Sequence, residues 1–255
     1  MKWRQIVPTA VTILAMLSGF LSILLTVEGM RMGGAHPYFL RSAQLIMLAM
    51  ILDGLDGNVA RLLRGGSEFG AELDTYVDLT AFGISPALLI FAVTLQGEPL
   101  WRVILPSAVM LSGVVRLARV KVKDPLRGQG GYSGLPITAN AAWVAAFVFL
   151  SESPPRDSFS LNHGPVAALF LTGIFVFIIL QVTNLRYPKP SKKAAIFIPC
   201  IVLVGLLLWP NRDLGVRAAV VMLVLGVAYI IFGPLFVKGV AAHKARKEAR
   251  ANGQV

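Results

Sequence analysis

The chain holds a single cysteine, Cys200, and three histidines, His36, His163 and His243. One cysteine excludes an intrachain disulfide framework. The histidines fall in three different predicted loops, so the usual transition-metal ligand set is missing. Charge is scarce as well: 15% of the 255 residues are charged, against roughly 25% in an average soluble domain. There is no internal repeat and no linker long enough to separate domains. What the chain has in quantity is apolar surface, at 56% of its residues.

Apolar runs of near-spanning length start close to Val7, Phe39, Leu73, Trp101, Ile137, Pro165, Ala194 and Val216. They predict an all-α integral membrane protein with about eight transmembrane helices. The first run is too long for a signal-peptide core and lacks a small-x-small cleavage site, so it is read as retained. Lysine and arginine stay on the cytoplasmic side of a membrane protein. With the N-terminus inside, only Arg31, Arg41, Arg102, Arg156, Arg212 and Arg217 fall outside, and the basic tail returns to the cytoplasm. The domain reading is a single transmembrane catalytic domain over residues 1–237 and a basic cytoplasmic tail over 238–255. The net charge of +11 sits in short juxtamembrane loops without interleaved aromatics. Anionic headgroups account for it, and nucleic acid is not an expected partner.

The segment ILDGLDGNVARLLRGGSEFGAELDTYVDLTAFG, residues 51–83, places Asp53, Asp56, Asp74 and Asp78 inside two of these helices. A carboxylate at such depth costs a few kcal/mol and needs a partner. Asp53 and Asp56, three apart, share a helix face that continues through Gly57, Ala60 and Arg61. Asp74 and Asp78 are an i,i+4 pair on the next helix, about 10–17 Å in from its start near Ser67. A short turn between antiparallel helices brings all four to similar depth. An all-oxygen set with no Cys or His nearby favours Mg²⁺, Mn²⁺ or Ca²⁺, and four carboxylates compensate two divalent ions. A two-metal site suits in-line displacement at phosphorus. Gly57, Ala60 and Gly70 leave helix surface bare for a ligand.

Asp53-x-x-Asp56-Gly57-x-x-Ala60-Arg61, eight residues, then Gly70-x-x-x-Asp74-x-x-x-Asp78 is similar to the signature of the CDP-alcohol phosphotransferase (phosphatidyltransferase) family. FGISPALLIF, RLARVKV, GLPITANAA and NLRYPKPSKK resemble its phosphatidylserine synthase branch, and the likeness covers roughly residues 5–195. The resemblance implies a six-helix core over about residues 5–190 plus two C-terminal helices, a homodimer, and an active site facing the cytoplasm in the cytoplasmic (inner) membrane. It implies transfer of a phosphatidyl group from CDP-diacylglycerol to L-serine, releasing CMP, with Mg²⁺ or Mn²⁺ as cofactor.

Carried onto this chain, the resemblance makes Asp53, Asp56, Asp74 and Asp78 metal ligands, with Asp78 also the base that takes the acceptor's proton. Thr9, Thr12, Asp56, Gly57, Ala60, Arg61, Ser67 and Gly70 would line the nucleotide and diphosphate site; Thr9 stands where relatives carry asparagine. Arg116 and Arg119 are the candidate contacts for the carboxylate of serine. Another alcohol acceptor (choline, glycerol phosphate or inositol phosphate) or an archaeal ether-lipid donor would keep the same chemistry. A cation transporter is the competing class, but it predicts acidic residues through the full membrane depth, and the remaining ones here lie near helix ends or in loops.

Overall fold

The computed structural model describes residues 3–34, 36–122, 132–153, 159–188, 194–209 and 211–251. Arg156 of the orientation argument lies outside the described residues, as do Lys2, Lys123, Arg127, Lys189, Lys192 and Lys193, which that orientation puts on the cytoplasmic side, and the end of the expected tail, 252–255. The eight apolar runs each carry a helix: α1 (Trp3–Arg31), α2 (His36–Leu63), α3 (Glu68–Val93), α4 (Pro99–Val122), α5 (Ile137–Ser151), α6 (Gly164–Val182), α7 (Ala194–Leu208) and α8 (Arg212–Ala251). Among the described residues six of them are long and apolar enough to cross a membrane. The other two, α5 and α7, have 15 residues each and reach about 22 Å, short of the ~30 Å hydrocarbon core. The protein is an all-α membrane protein.

The interior of such a bundle cannot rely on a hydrophobic contrast with lipid, so small and hydroxyl-bearing residues hold the helices together. Gly19 of α1 meets the backbone of α3 so closely that a Cβ there would lie 2.6 Å from Ala81 Cα. Deeper along the same helices, Ser22 Oγ is 2.7 Å from Ser42 Oγ and 2.7 Å from Ser85 Oγ, and Thr26 Oγ1 is 2.6 Å from Ser42 Oγ. This buried network ties α1, α2 and α3 into one unit. Large apolar side chains instead face outward, among them Leu14, Leu17 and Phe20 on α1 and Val224, Phe232 and Phe236 on α8. They form the surface that acyl chains would cover.

Helix α5 is the centre of the bundle, with residues from Ile137 to Leu150 buried almost without interruption. Its Trp143 ring packs edge-on to Phe177 at 5.2 Å and tilts against Phe147 at 4.6 Å. The indole N–H donates to the Phe170 carbonyl at 3.3 Å. A two-residue antiparallel ribbon, β1 (Tyr132–Ser133) with β2 (Arg186–Tyr187), closes one end of the bundle. Helix α8 braces it: Tyr229 donates its hydroxyl to the Pro188 carbonyl at 3.0 Å and its ring lies 5.6 Å from that of Tyr187. The sequence pattern had not suggested the ribbon, since two residues carry no period. Helix α8 also continues through Ala251, so the expected basic tail is helical where it is described.

Helix α3 is not uniform. Asp78–Ile84 is a π-helical stretch, in which the Ser85 N–H reaches the Thr80 carbonyl five residues back. Pro86 explains the widening, because it has no N–H to offer Phe82 and its ring would crowd that carbonyl. The stretch begins at Asp78, whose own N–H still bonds to the Asp74 carbonyl. Asp74 and Asp78 therefore keep their shared face while the residues beyond rotate into the core.

Candidate active site

The two aspartate-bearing helices are joined by a turn with its own sequence logic. Arg64 adopts a left-handed φ of +49°, and the Gly65 N–H closes α2 on the Ala60 carbonyl at 2.9 Å. Gly65 then passes against the Arg4 carbonyl at the start of α1, where any Cβ would collide. Pro8, one turn into α1, has no N–H for that carbonyl. Ser67 caps α3, its hydroxyl accepting the Gly70 N–H at 3.0 Å. The hairpin and the beginning of α1 are thus locked together beside the carboxylates.

Carboxylate oxygens of Asp53, Asp56 and Asp74 lie within 4.8 Å of one another. Asp56 is buried, Asp53 half-buried and Asp74 exposed. Thr12 of α1 donates to Asp56 Oδ2 at 2.5 Å, with the Pro8 carbonyl 3.1 Å from the same hydroxyl. Asp53 Oδ1 is buried and has no hydrogen-bond partner among the described residues. An anionic oxygen in that position is costly unless a cation meets it. Three converging carboxylates, one with a lone pair unspent, form an all-oxygen donor set that fits a hard divalent ion.

Asp78, expected as a fourth ligand, is not part of the group within 4.8 Å. It lies farther along α3, within electrostatic reach of Asp53, Asp74, Asp56 and Arg116. Arg116 is 5% exposed, which is unusual for a guanidinium and places it inside the bundle rather than at its rim.

The other expected contacts divide. A Cβ at Gly57 would meet nothing within 4 Å, so its surface is open to a ligand, whereas one at Gly70 would lie 3.2 Å from Ser67 Oγ. Ala60 is half-buried and Arg61 exposed. The Arg61 guanidinium is steadied by Asn58 Oδ1 at 2.8 Å, a helper the sequence reading passed over although the i,i+3 spacing announces it. Thr9 turns its hydroxyl back along its own helix to the Gln5 carbonyl at 2.8 Å and so does not join the carboxylates. Ser67 is occupied as a cap.

Arg119 departs most from expectation. Its guanidinium donates to the carbonyls of Thr183 at 2.8 Å and of Val182 at 2.5 Å, and to Asn184 Oδ1 at 3.2 Å. It binds the C-terminal end of α6, where carbonyls lack helical partners and carry partial negative charge. Glu72, two residues before Asp74, pairs with Lys121 of α4 at 2.6 Å. Both side chains are 49% exposed, so the pair aligns α3 with α4 more than it stabilises them.

The CDP-alcohol phosphatidyltransferase family model matches residues 5–232. The CDP-diacylglycerol–serine O-phosphatidyltransferase of Helicobacter pylori is 32% identical over 154 residues, covering 60% of this chain and 63% of that protein. The protein of the same name from Methanocaldococcus jannaschii is 32% identical over 200 residues, covering 77% and 82%. That from Saccharomyces cerevisiae is 37% identical over 146 residues, covering 54% and 52%. The match thus spans less than two thirds of the bacterial and yeast relatives and most of the archaeal one. With the aspartate signature, the geometry it builds and a match across nearly the whole membrane region, the chain belongs to the CDP-alcohol phosphatidyltransferase family.

Proposed function

We propose that this protein transfers a phosphatidyl group from CDP-diacylglycerol to L-serine, giving phosphatidylserine and CMP. The observation that carries the reading is the convergence of Asp53, Asp56 and Asp74 with Asp53 Oδ1 left without a partner among the described residues, in a chain whose relatives are named for serine as acceptor. Divalent cations held by these three carboxylates, Mg²⁺ or Mn²⁺ and two in number, would supply neutralisation of the diphosphate charge as it shifts toward CMP.

The chain's own residues do the rest. Thr12 holds Asp56 in its ligating orientation. Gly57 gives the diphosphate access to the backbone, and Arg61, steadied by Asn58, offers it a charge-assisted contact. The serine hydroxyl attacks the phosphorus that carries diacylglycerol. As that P–O bond forms, the bond to the CMP oxygen breaks, and the hydroxyl proton passes to Asp78. Asp78 suits the part because it stands beside the ligand group without belonging to it. Arg116, buried on α4, would hold the serine carboxylate, and its buried position would shield that ion pair from water.

The lipid tails of the donor remain in the bilayer while the nucleotide enters from the cytoplasm, which puts the site at the inner face of the cytoplasmic membrane. We assign residues 1–237 to one catalytic domain and expect a homodimer. CMP release from CDP-diacylglycerol in detergent micelles with Mg²⁺ or Mn²⁺ tests the reading. L-serine should support it, and glycerol 3-phosphate, inositol phosphate and choline should not. Release with one of these instead would keep the chemistry and move the acceptor.

A further inference from the structure

Two buried amides stand out because the site as described leaves them unused. Asn140 of α5 is 1% exposed, and neither its Oδ1 nor its Nδ2 has a hydrogen-bond partner among the described residues. Gln181 of α6 is fully buried; one end of its amide lies 2.8 Å from Ser112 Oγ of α4, and the other end has no partner among the described residues. Buried polar atoms without partners are rare, and each costs on the order of 1–3 kcal/mol. Three such atoms in one bundle call for a ligand or for water.

Their placement favours a ligand. Ile137, one turn before Asn140, lies against Gly113 of α4 and Gly83 of α3, where Cβ atoms would come within 2.6 Å and 3.6 Å of it. Trp143, three residues after Asn140, bonds to Phe170 of α6. Three residues turn a helix by about 60° short of a full circle, so Asn140 faces the junction between α4 and α6. That is where Ser112 and Gln181 meet. Ser112 and Arg116, four apart and both buried, occupy one face of α4, and Arg116 lies within electrostatic reach of Asp78. Helical register therefore sets Arg116, Ser112 and Gln181 along one seam with Asn140 on the facing side of α5, and Asp78 within electrostatic reach of Arg116.

We infer that Asn140 and Gln181 form the acceptor subsite, recognising a small zwitterionic amino alcohol by its amino-acid end; this rests on the serine reading above. An amide N–H and the Arg116 guanidinium meet the carboxylate, and the Asn140 carbonyl oxygen accepts from the ammonium. Neutral amides match a ligand whose own charges cancel. A phosphorylated acceptor needs more positive charge, and Arg119, the other guanidinium on this stretch of α4, is turned onto the carbonyls of α6. The seam thus discriminates by charge as well as by shape.

The test uses the full chain in detergent with Asn140→Leu and Gln181→Met, near-isosteric changes on different helices. The Michaelis constant for L-serine and the affinity for CDP in the presence of Mn²⁺, read by calorimetry, are compared with the wild type. Each variant should raise the serine constant about tenfold while CDP affinity stays within a factor of about two. Unchanged serine constants in both variants would overturn the subsite and leave the amides to internal water. Loss of CDP affinity in both would overturn it too, assigning the amides to the integrity of the fold. Wild-type protein that releases no CMP with serine would remove the functional reading itself, and the subsite with it, before any variant is compared.

Discussion

Thr12 reaches across from α1 to place its hydroxyl 2.5 Å from Asp56 Oδ2, so the first helix, which contributes no acidic residue to the group, sets the orientation of a central carboxylate. A residue behind a metal ligand commonly changes metal affinity by 10–100-fold when it is removed.

Thr12→Val keeps the shape and deletes the donor. It should weaken Mn²⁺ binding by about tenfold, read by titration with electron paramagnetic resonance of free Mn²⁺. Thr12→Ser should restore most of the affinity. Equal affinity in wild type and Thr12→Val would remove Thr12 from the support of this site.

Asp53→Asn and Asp78→Asn should separate binding from turnover. Asp53 Oδ1 is buried without a partner among the described residues, whereas Asp78 lies outside the group of carboxylates within 4.8 Å of one another. Asp53→Asn should therefore damage both CDP affinity and CMP release. Asp78→Asn should lower turnover by about 10²–10⁴-fold, the range of a lost general base, with CDP affinity nearly intact. Calorimetry with CDP and a CMP-release assay on the same preparations decide it; equal CDP affinity in wild type and Asp53→Asn counts against the ligand role.

Gly19 lets α1 approach the π-helical part of α3 closely, with a Cβ position 2.5 Å from Ala81 Cβ. Gly19→Ala should cost about 1–3 kcal/mol of stability by overpacking and lower the thermal midpoint in detergent. Gly57→Ala meets open space and should leave the midpoint unchanged while lowering CDP affinity. A midpoint equally depressed in both variants would contradict the distinction between a packing glycine and a ligand-facing one.

Much of this arrangement was legible before the structure because its causes are local. Asp53, Asp56, Asp74 and Asp78 declare themselves by being charged within apolar runs, and helical spacing puts each pair on one face. The start of α3 was readable at Ser67 because a serine three residues before Gly70 is a cap in its own right. The parts that escaped depend on distant segments. Nothing near Arg119 in the chain announces that its partners are the carbonyls of residues 182 and 183. The burial of Arg116 likewise requires α4 to be packed before it can be seen. The π-helical stretch had a visible cause in Pro86, but proline alone does not say whether a helix kinks, ends or widens.

The two arginines of α4 give the sharpest contrast, since sequence placed them in the same role. Arg119→Ala removes hydrogen bonds to the Val182 and Thr183 carbonyls and to Asn184. It should lower the thermal midpoint and leave the Michaelis constant for serine within about twofold, because the loss falls on helix-end carbonyls. Arg116→Gln should instead raise the serine constant by about tenfold or more, the cost of a charge-assisted contact, with CDP affinity preserved. A rise in the serine constant for Arg119→Ala comparable to that for Arg116→Gln would return Arg119 to the acceptor site and break the assignment of its guanidinium to α6. The two side chains are three residues apart on one helix, yet one is buried within electrostatic reach of Asp78 and the other fastens the end of α6.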